Sequence, residues 1–290
     1  VTKGIDGSGT AVCIALRKIF IGRVKCMTIF HNHRVVAENI PWLKDSARNQ
    51  FYKSAIEDIV KGRRVLEAGP GSGLLMQYAL DAGADFVTGV EIRKDRAKFL
   101  NEIFSSQGHK NFEILNYDFM SLDSSILKRH EIIICEQTGD QFKNDCQLPR
   151  FFDKVKHDNL ITIPDTWSID IHLYDGAVET SAPLVLNDTI PATYQSSIKQ
   201  MSYPQATESF YDLWKVTNEE GYKDINIDLD LTGYKDCTIL IDDHVSFKGK
   251  RCPYLTGYES WQKPVQIMIP DAKGHYNIYF EEGKWKHRKK

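Results

Sequence analysis

The turn Gly69-Pro70-Gly71-Ser72-Gly73 constrains the fold more than any other feature of the sequence. It directly follows a short apolar strand, residues 64–68, and it opens a helix over residues 74–82. Glycines in such a turn let the backbone approach a ligand. Glu91, 22 residues after Gly69, ends the next strand and can accept hydrogen bonds from both hydroxyls of a ribose. The turn therefore predicts a nucleotide site in an open parallel sheet, the alternative being a plain connection between strand and helix.

Hydrophobic periodicity divides the chain into two parts that meet near Pro164. In the first part strands alternate with amphipathic helices, which predicts parallel pairing with right-handed crossovers. The predicted strands are 64–68, 86–91, 112–116 and 131–136, and the predicted helices are 45–61, 74–82 and 93–107. In the second part, short β-rich runs between turn residues predict an antiparallel sandwich or barrel. These runs are 168–174, 224–231, 237–241, 265–269 and 276–281.

Composition limits the classes of protein that need to be considered. A chain of 290 residues with 42% hydrophobic and 26% charged residues is typical of a globular protein. Its 37 basic and 39 acidic residues give a net charge of −2, which argues against direct binding of nucleic acid as its main role. No apolar run approaches the ~20 residues that span a bilayer, and residues 1–23 lack the features of a signal peptide. We therefore expect a cytoplasmic or nuclear protein with no membrane partner.

The cysteines and the chain ends give two smaller expectations. None of the six cysteines forms a CxxC pair, so the sequence predicts no metal site and no disulfide framework, and most cysteines should be buried thiols. We expect the first ten residues and the basic run 284–290 to be frayed.

The spacing of the three glycines resembles the G-x-G-x-G loop of class I S-adenosylmethionine methyltransferases, whereas enzymes that bind NAD(P) use G-x-G-x-x-G. The surrounding residues 65–91, VLEAGPGSGLLMQYALDAGADFVTGVE, are similar to that class as well. The resemblance implies that Gly69, Gly71 and Gly73 contact the methionyl and ribose part of S-adenosylmethionine and that Glu91 binds the ribose. Asp118 would then lie near the adenine, unless it serves only as a turn residue before the next helix.

Two further segments resemble protein arginine methyltransferases. Residues 42–52, WLKDSARNQFY, are similar to their helix MLxDxxRxxxY, and residues 132–146, IIICEQTGDQFKNDC, are similar to the acidic loop that carries two glutamates. In this family the resemblance implies that Arg48 binds the carboxylate of the cofactor, a pairing that suits a guanidinium. The alternative for Arg48 is a surface position on its helix.

The order of the parts also matches this family. A methyltransferase half is followed by Pro164-Asp165 and then by a β-rich half in which Trp261 lies in a loop similar to the family's THW motif. The resemblance implies an N-terminal segment over 1–40 and a Rossmann-like class I methyltransferase domain over 41–163. An antiparallel β-barrel domain would follow over 164–290, with a shortened dimerisation arm near 177–209.

The acidic loop departs from the pattern of an active arginine methyltransferase. Such an enzyme holds the substrate guanidinium between two carboxylates. Glu136 matches the first glutamate, but Asp145 stands at the second position, and its carboxylate is withdrawn by about 1.5 Å because one methylene is missing. A misplacement of ~1 Å can cost ~100-fold in rate. Gln137 and Thr138 also replace the apolar cover of the substrate pocket.

Two other motifs are degraded. Ser260 replaces the histidine of the barrel loop and leaves only Trp261 of that motif, so that Asp45 loses its expected imidazole partner. The lid-helix motif YFxxY aligns with residues 29–33, where only Phe30 matches. These losses predict that binding of S-adenosylmethionine is weakened or lost and that catalysis is impaired.

A chain that keeps its fold but has lost these site residues is typical of a regulatory subunit. It resembles the prozyme of the enzyme and prozyme pairs of kinetoplastid arginine methyltransferases, which implies an active paralogue as partner in a hetero-oligomer. Helices 74–82 and 93–107 would receive the partner's arm, whereas Pro183, Pro191 and Pro204 interrupt this chain's own arm. Two alternatives stay open: a divergent active arginine methyltransferase, and an RNA-associated scaffold that uses the basic run 284–290.

Overall fold

The computed structural model describes residues 35–136, 147–156, 160–176, 206–217, 219–220, 224–252, 265–281 and 284–290. The first part contains the strands β1 (Arg64–Ala68), β2 (Phe86–Val90), β3 (Phe112–Leu115), β4 (Ile132–Cys135) and β5 (Ile161–Ile163). They form one parallel sheet in the order β3-β2-β1-β4-β5. This is a doubly wound order, in which the carboxyl ends of all five strands lie at the same edge.

Helices connect and precede these strands. They are α1 (Ile40–Lys44), α2 (Ser46–Ile59), α3 (Leu74–Asp81), α4 (Lys94–Ser106), α5 (Ser124–Leu127) and α6 (Gln147–Val155). In α4, Ala97, Leu100 and Phe104 recur at helical spacing and are buried, which fixes the face that packs on the sheet. The sequence predicted α2, α3 and α4, and the structure confirms them.

The second part is built from antiparallel strands. They are β6 (Thr166–Asp175), β7 (Glu208–Thr217), β8 (Asn226–Asp230), β9 (Cys237–Phe247), β10 (Lys250–Arg251), β11 (Val265–Ile269), β12 (His275–Glu281) and β13 (Lys284–Lys289). One sheet has the order β10-β9-β6-β7 with β11 also paired to β9, and a second has the order β13-β12-β8. The expected antiparallel half is confirmed, although the sequence did not predict β7, β10 or β13.

The expectation that residues 284–290 are frayed is wrong. Residues 284–289 form β13, which pairs along its whole length with β12. Two lysines of this run hold acids of neighbouring strands: Lys286 Nζ lies 2.7 Å from Glu281 Oε2, and Lys290 Nζ lies 2.6 Å from Asp228 Oδ2. Lysines suit a strand at the edge of a sheet because their charge discourages further strand pairing.

The pairing of β6 with β7 contains a bulge. Ile169 lies opposite Trp214, and two residues later Ile171 lies opposite Phe210, so that residues 211–213 are left over on β7. Asp212 in this bulge has φ 51°, and its backbone N–H donates to Asp170 Oδ1 at 3.0 Å. The bulge therefore directs the backbone N–H of Asp212 on β7 toward the carboxylate of Asp170 on β6.

One hydrophobic core cluster contains residues of both parts, among them Leu66 and Ile133 from the parallel sheet and Trp167 and Ile171 from β6.

The described cysteines Cys135, Cys237 and Cys252 are buried thiols, as the sequence predicted. Within the described ranges, no helix combines the length and the apolar composition that crossing a membrane requires.

Candidate functional site

The glycine turn between β1 and α3 has a backbone that other residues cannot adopt without strain. Gly71 and Gly73 have φ of 55° and 82°, in the left-handed region. A Cβ atom on Gly73 would lie 2.6 Å from Leu100 Cδ2, and one on Gly71 would lie 2.8 Å from Asn39 Oδ1. Both positions therefore require glycine, for the conformation and for close packing against α4 and the segment that precedes α1.

Glu91 lies beside this turn. It follows β2, it is only 2% exposed, and its Oε2 accepts the Gly71 N–H at 3.3 Å. Its Oε1 accepts the Arg93 N–H at 2.9 Å. The acid and the turn that the sequence predicted to act together are thus in contact, and each carboxylate oxygen retains a lone pair for a further donor.

Arg48 joins the helix α2 to the acid at the end of β4. Its Nη2 lies 2.7 Å from Glu136 Oε2, and both side chains are largely buried. Its Nη1 donates to Asn49 Oδ1 at 2.6 Å, and its guanidinium lies over the ring of Tyr52 at 5.3 Å. Arg48 is therefore not a surface residue, and Glu136, which the sequence predicted to be the first acid of the pair, is already bound to a cation of the same chain.

Asp45 caps α2, and one of its oxygens has no partner among the described residues. Its Oδ1 accepts the Arg48 N–H at 3.0 Å, while its buried Oδ2 forms no hydrogen bond within the described ranges. Burial raises the pKa of this carboxyl group, and the nearby charge of Glu136 acts in the same direction. A buried oxygen without a partner is uncommon and costs stability, so Oδ2 needs a donor that the described part of the chain does not supply.

Glu67 is a functional candidate that the sequence interpretation missed. It lies in β1, two residues before Gly69, and burial raises its pKa to about 8. The charge of Arg48 lowers this pKa, whereas the charges of Glu136 and Glu91 raise it further. The available signal was an acid within a strand that is otherwise apolar after Arg64.

Two apolar side chains stand exposed at the mouth of the site. Ile92 is 66% exposed directly after Glu91, and Tyr117 is 51% exposed after β3. The side chain of Asn116 ties the two loops together because it donates to Glu91 O at 2.9 Å and to Ile92 O at 3.0 Å. Exposed apolar groups beside a buried acid suit the planar base of a nucleotide.

Asp118 has a local role in this structure. Its Oδ1 accepts the Met120 N–H at 2.9 Å, and its Oδ2 accepts the Ser121 hydroxyl at 3.0 Å. Both oxygens thus stabilise the short 3₁₀ turn Phe119–Ser121. This geometry favours the turn interpretation, and contact with an adenine stays a prediction.

The segment before α1 is clamped to α4 across the glycine turn. Glu38 Oε2 lies 2.7 Å from Arg93 Nη1 and 3.1 Å from Arg96 Nη2. Asn39, the next residue, packs on Gly71. The sequence interpretation did not identify this clamp, because ion pairs across more than 50 positions leave no local pattern.

Several predicted residues lie outside the described part of the chain. They are Gln137, Thr138 and Asp145 of the acidic loop, Ser260 and Trp261 of the barrel loop, Phe30 of the lid motif, and residues 177–205 of the predicted arm 177–209. The end of that arm is wrong, because Glu208 and Ser209 belong to β7. Their roles stay predictions.

Comparison of the sequence with known proteins gives short matches. No family model matches the chain. It is 40% identical over 73 residues to protein arginine N-methyltransferase 7 of Drosophila persimilis, a match that covers 23% of this chain and 10% of that protein. It is 28% identical over 99 residues to protein arginine N-methyltransferase 9 of Xenopus laevis, covering 32% of this chain and 12% of that protein. The chain thus spans about a tenth of the length of these curated relatives.

Solved structures with the same fold cover far more of the chain. The crystal structure of PRMT6-SAH matches 88% of this chain and 100% of its own with a TM-score of 0.62 at 13% identity. The Trypanosoma brucei PRMT1 enzyme-prozyme heterotetrameric complex with AdoHcy matches 84% of this chain and 88% of its own, with a TM-score of 0.57 at 16% identity. The chain therefore has the fold of a Rossmann-like methyltransferase domain followed by an antiparallel barrel. At such low identity the likeness extends to the fold alone.

Proposed function

We propose that this chain binds S-adenosylmethionine weakly and acts as a prozyme, a catalytically inactive subunit that activates an arginine methyltransferase paralogue. The observation that carries the proposal is the buried Oδ2 of Asp45, which has no hydrogen-bond partner among the described residues. In the resemblance stated above, this acid pairs with a histidine whose place is taken by Ser260. A site that has lost this partner and the second glutamate is poorly organised to hold a methyl acceptor.

The residues present fit the cofactor. Arg48 can bind its carboxylate, and Glu91 can accept from its ribose while the exposed Ile92 and Tyr117 cover its base. Arg48 is paired with Glu136, and its charge also acts on Asp45 and Glu67. When bound, S-adenosylmethionine supplies its methyl group from a positively charged sulfur.

Weak affinity follows from the same contacts. Arg48 is already paired with Glu136, and both oxygens of Glu91 already accept backbone N–H groups. The cofactor has to share or replace these bonds, so part of its interaction energy is offset by the bonds that it disturbs.

Calorimetry with S-adenosylhomocysteine tests the cofactor site. We expect Glu91→Ala to weaken binding by about 10-fold to 100-fold, because a hydrogen bond to a charged group contributes ~1.5–3 kcal/mol. Glu113→Ala is the matched control, since Glu113 is exposed on β3 and bonds Thr88 instead of the turn. Tight binding that Glu91→Ala leaves intact would contradict the placement of the ribose.

The partner surface is proposed on the outer side of α3. Met76 of this helix is fully buried, but Tyr78 is partly exposed and lies 6.0 Å from Lys53 Nζ of α2. Stable interfaces place aromatic residues at their centre. The enzyme-prozyme complex among the similar structures supports a hetero-oligomer.

A mixed assay of methyl transfer tests the subunit role. The chain alone should transfer no methyl group to arginine-rich peptides, and addition of the chain should raise the activity of its active paralogue. Tyr78→Glu should abolish this stimulation, whereas Tyr279→Glu on β12 and Glu136→Gln should leave it unchanged. If Glu136→Gln lowers the activity as much as Tyr78→Glu does, the chain contributes chemistry and the proposal fails.

One observation favours the alternative of a divergent active enzyme. Glu136 remains in place at the end of β4 and is paired with the arginine that the cofactor would contact. Turnover by the chain alone near 1 per second, within the usual enzyme range, would support this alternative. The structure gives less support to the RNA-scaffold alternative, because the basic run is a paired strand and two of its lysines are bound to acids.

A further inference from the structure

Three side chains from neighbouring strands meet in the barrel, away from the site described above. Asp170 lies on β6, His244 on β9 and Asp212 in the bulge of β7. One nitrogen or oxygen atom from each lies within 4.8 Å of the others. Asp170 and His244 are buried, whereas Asp212 is exposed.

The imidazole of His244 has an unpartnered atom that points at an acid. Its Nε2 lies 3.2 Å from Asp212 Oδ1, which makes Nε2 the protonated nitrogen. Its Nδ1 forms no hydrogen bond with the described residues and faces Asp170 Oδ1 at 3.7 Å, although the residue is only 3% exposed. Two lone pairs therefore face each other in a buried place, an arrangement that a cation between them would relieve.

The charges around His244 leave an excess of acid. Arg251 binds Asp170 through Oδ2, while Oδ1 accepts the Asp212 N–H and also faces the histidine. Asp242 lies opposite Asp170 in the sheet, and Asp212 adds a third carboxylate. Burial, with the charge of Arg251, lowers the pKa of His244, so the imidazole is neutral and suited to bind a metal.

We propose that Asp170, Asp212 and His244 form a site for a divalent transition metal, with Zn²⁺ the best match. The separation of 3.7 Å between His244 Nδ1 and Asp170 Oδ1 fits two metal–ligand bonds of about 2.1 Å that meet at about 120°. Imidazole with carboxylate is a ligand set that zinc accepts. The side chain of Asp212 is exposed, so it can leave His244 Nε2 and turn to supply the third ligand.

The site would hold the bulge of β7 against β6 and β9. It uses no cysteine, which is why the cysteine spacing gave no sign of it. Its ligands are 42 and 32 residues apart along the chain (212 − 170 and 244 − 212). Their proximity comes from the strand order β9-β6-β7 and from the left-handed residue in the bulge.

Calorimetry with Zn²⁺ on the full chain tests this site. We expect one ion per chain and a loss of affinity of at least about 100-fold in His244→Ala and in Asp212→Asn, since loss of an outer partner alone costs ~10–100-fold. Asp212→Asn changes an exposed residue, and asparagine tolerates the left-handed conformation, so this variant should fold as the wild type does. His275→Ala is the control, because His275 is an exposed histidine 4.0 Å from Asp230.

A thermal readout completes the test. Zn²⁺ should raise the Tm of the wild type and of His275→Ala, but not that of Asp212→Asn, because a ligand that binds only the folded state stabilises it. The proposal is overturned if the wild type binds no Zn²⁺, if Asp212→Asn and His244→Ala bind it as tightly as the wild type, or if His275→Ala loses it.

Discussion

Replacing Glu67 by glutamine should stabilise the protein at neutral and alkaline pH. Glu67 is buried in β1, and its pKa is raised to about 8, mainly by burial. Its Oε2 has no hydrogen-bond partner in the described structure, so ionisation places a charge where little compensates it. Glutamine has nearly the same shape, can accept the backbone N–H of Met76 that Glu67 accepts, and carries no charge.

The magnitude follows from proton linkage. The folded state keeps the Glu67 proton up to about pH 8, whereas the unfolded chain releases it near 4.5. The folded state therefore binds more protons in this window, so its stability falls as the pH rises and levels off above pH 8. At ~1.36 kcal/mol per pH unit the loss approaches 5 kcal/mol in total, of which about 3 kcal/mol has occurred by pH 7.

Urea unfolding at pH 5, 7 and 8.5 measures this effect. The advantage of Glu67→Gln over the wild type should grow from under about 1 kcal/mol at pH 5 to several kcal/mol at pH 8.5. Glu57→Gln, an exposed change on α2, is the control and should give no such trend. An advantage that stays constant from pH 5 to 8.5 would refute the reasoning, because it would mean that Glu67 is ionised in the folded protein.

Three further predictions concern packing, catalysis and the last strand. Gly73→Ala should lower the free energy of unfolding, measured in urea, by more than about 2 kcal/mol, because the added Cβ collides with Leu100. Gly108 has φ 87° and open space around it, so Gly108→Ala should cost only ~1–2 kcal/mol of backbone strain. Asp145→Glu alone should restore no methyl transfer, since groups that act as a unit are not additive, and substantial activity would contradict this. Deleting residues 284–290 should lower the urea midpoint measurably because β13 pairs with β12, and an unchanged midpoint would contradict the pairing.

The periodicity of the sequence determined the elements of the first part. Apolar runs fixed β1, β2 and β4, and helical spacing fixed α2 and α4. Once these strands are parallel, their carboxyl ends lie at one edge, so the contact between the glycine turn and Glu91 followed as well. The antiparallel class of the second part was predictable for the same reason, since short alternating runs between turns leave few other solutions.

Only the tertiary structure decided which side chains meet across long stretches of chain. The pair of Arg48 with Glu136, the burial of the Asp45 oxygen and the pairing of β13 all depend on strand order and register. Periodicity assigns a residue to a face of a helix or strand, but not its neighbours across the fold. The cluster around His244 is the clearest case, because a bulge of three residues on β7 brings Asp212 to a histidine two strands away. Such a bulge cannot be predicted from a short sequence window, because it arises from a mismatch in length between two paired strands that are distant along the chain.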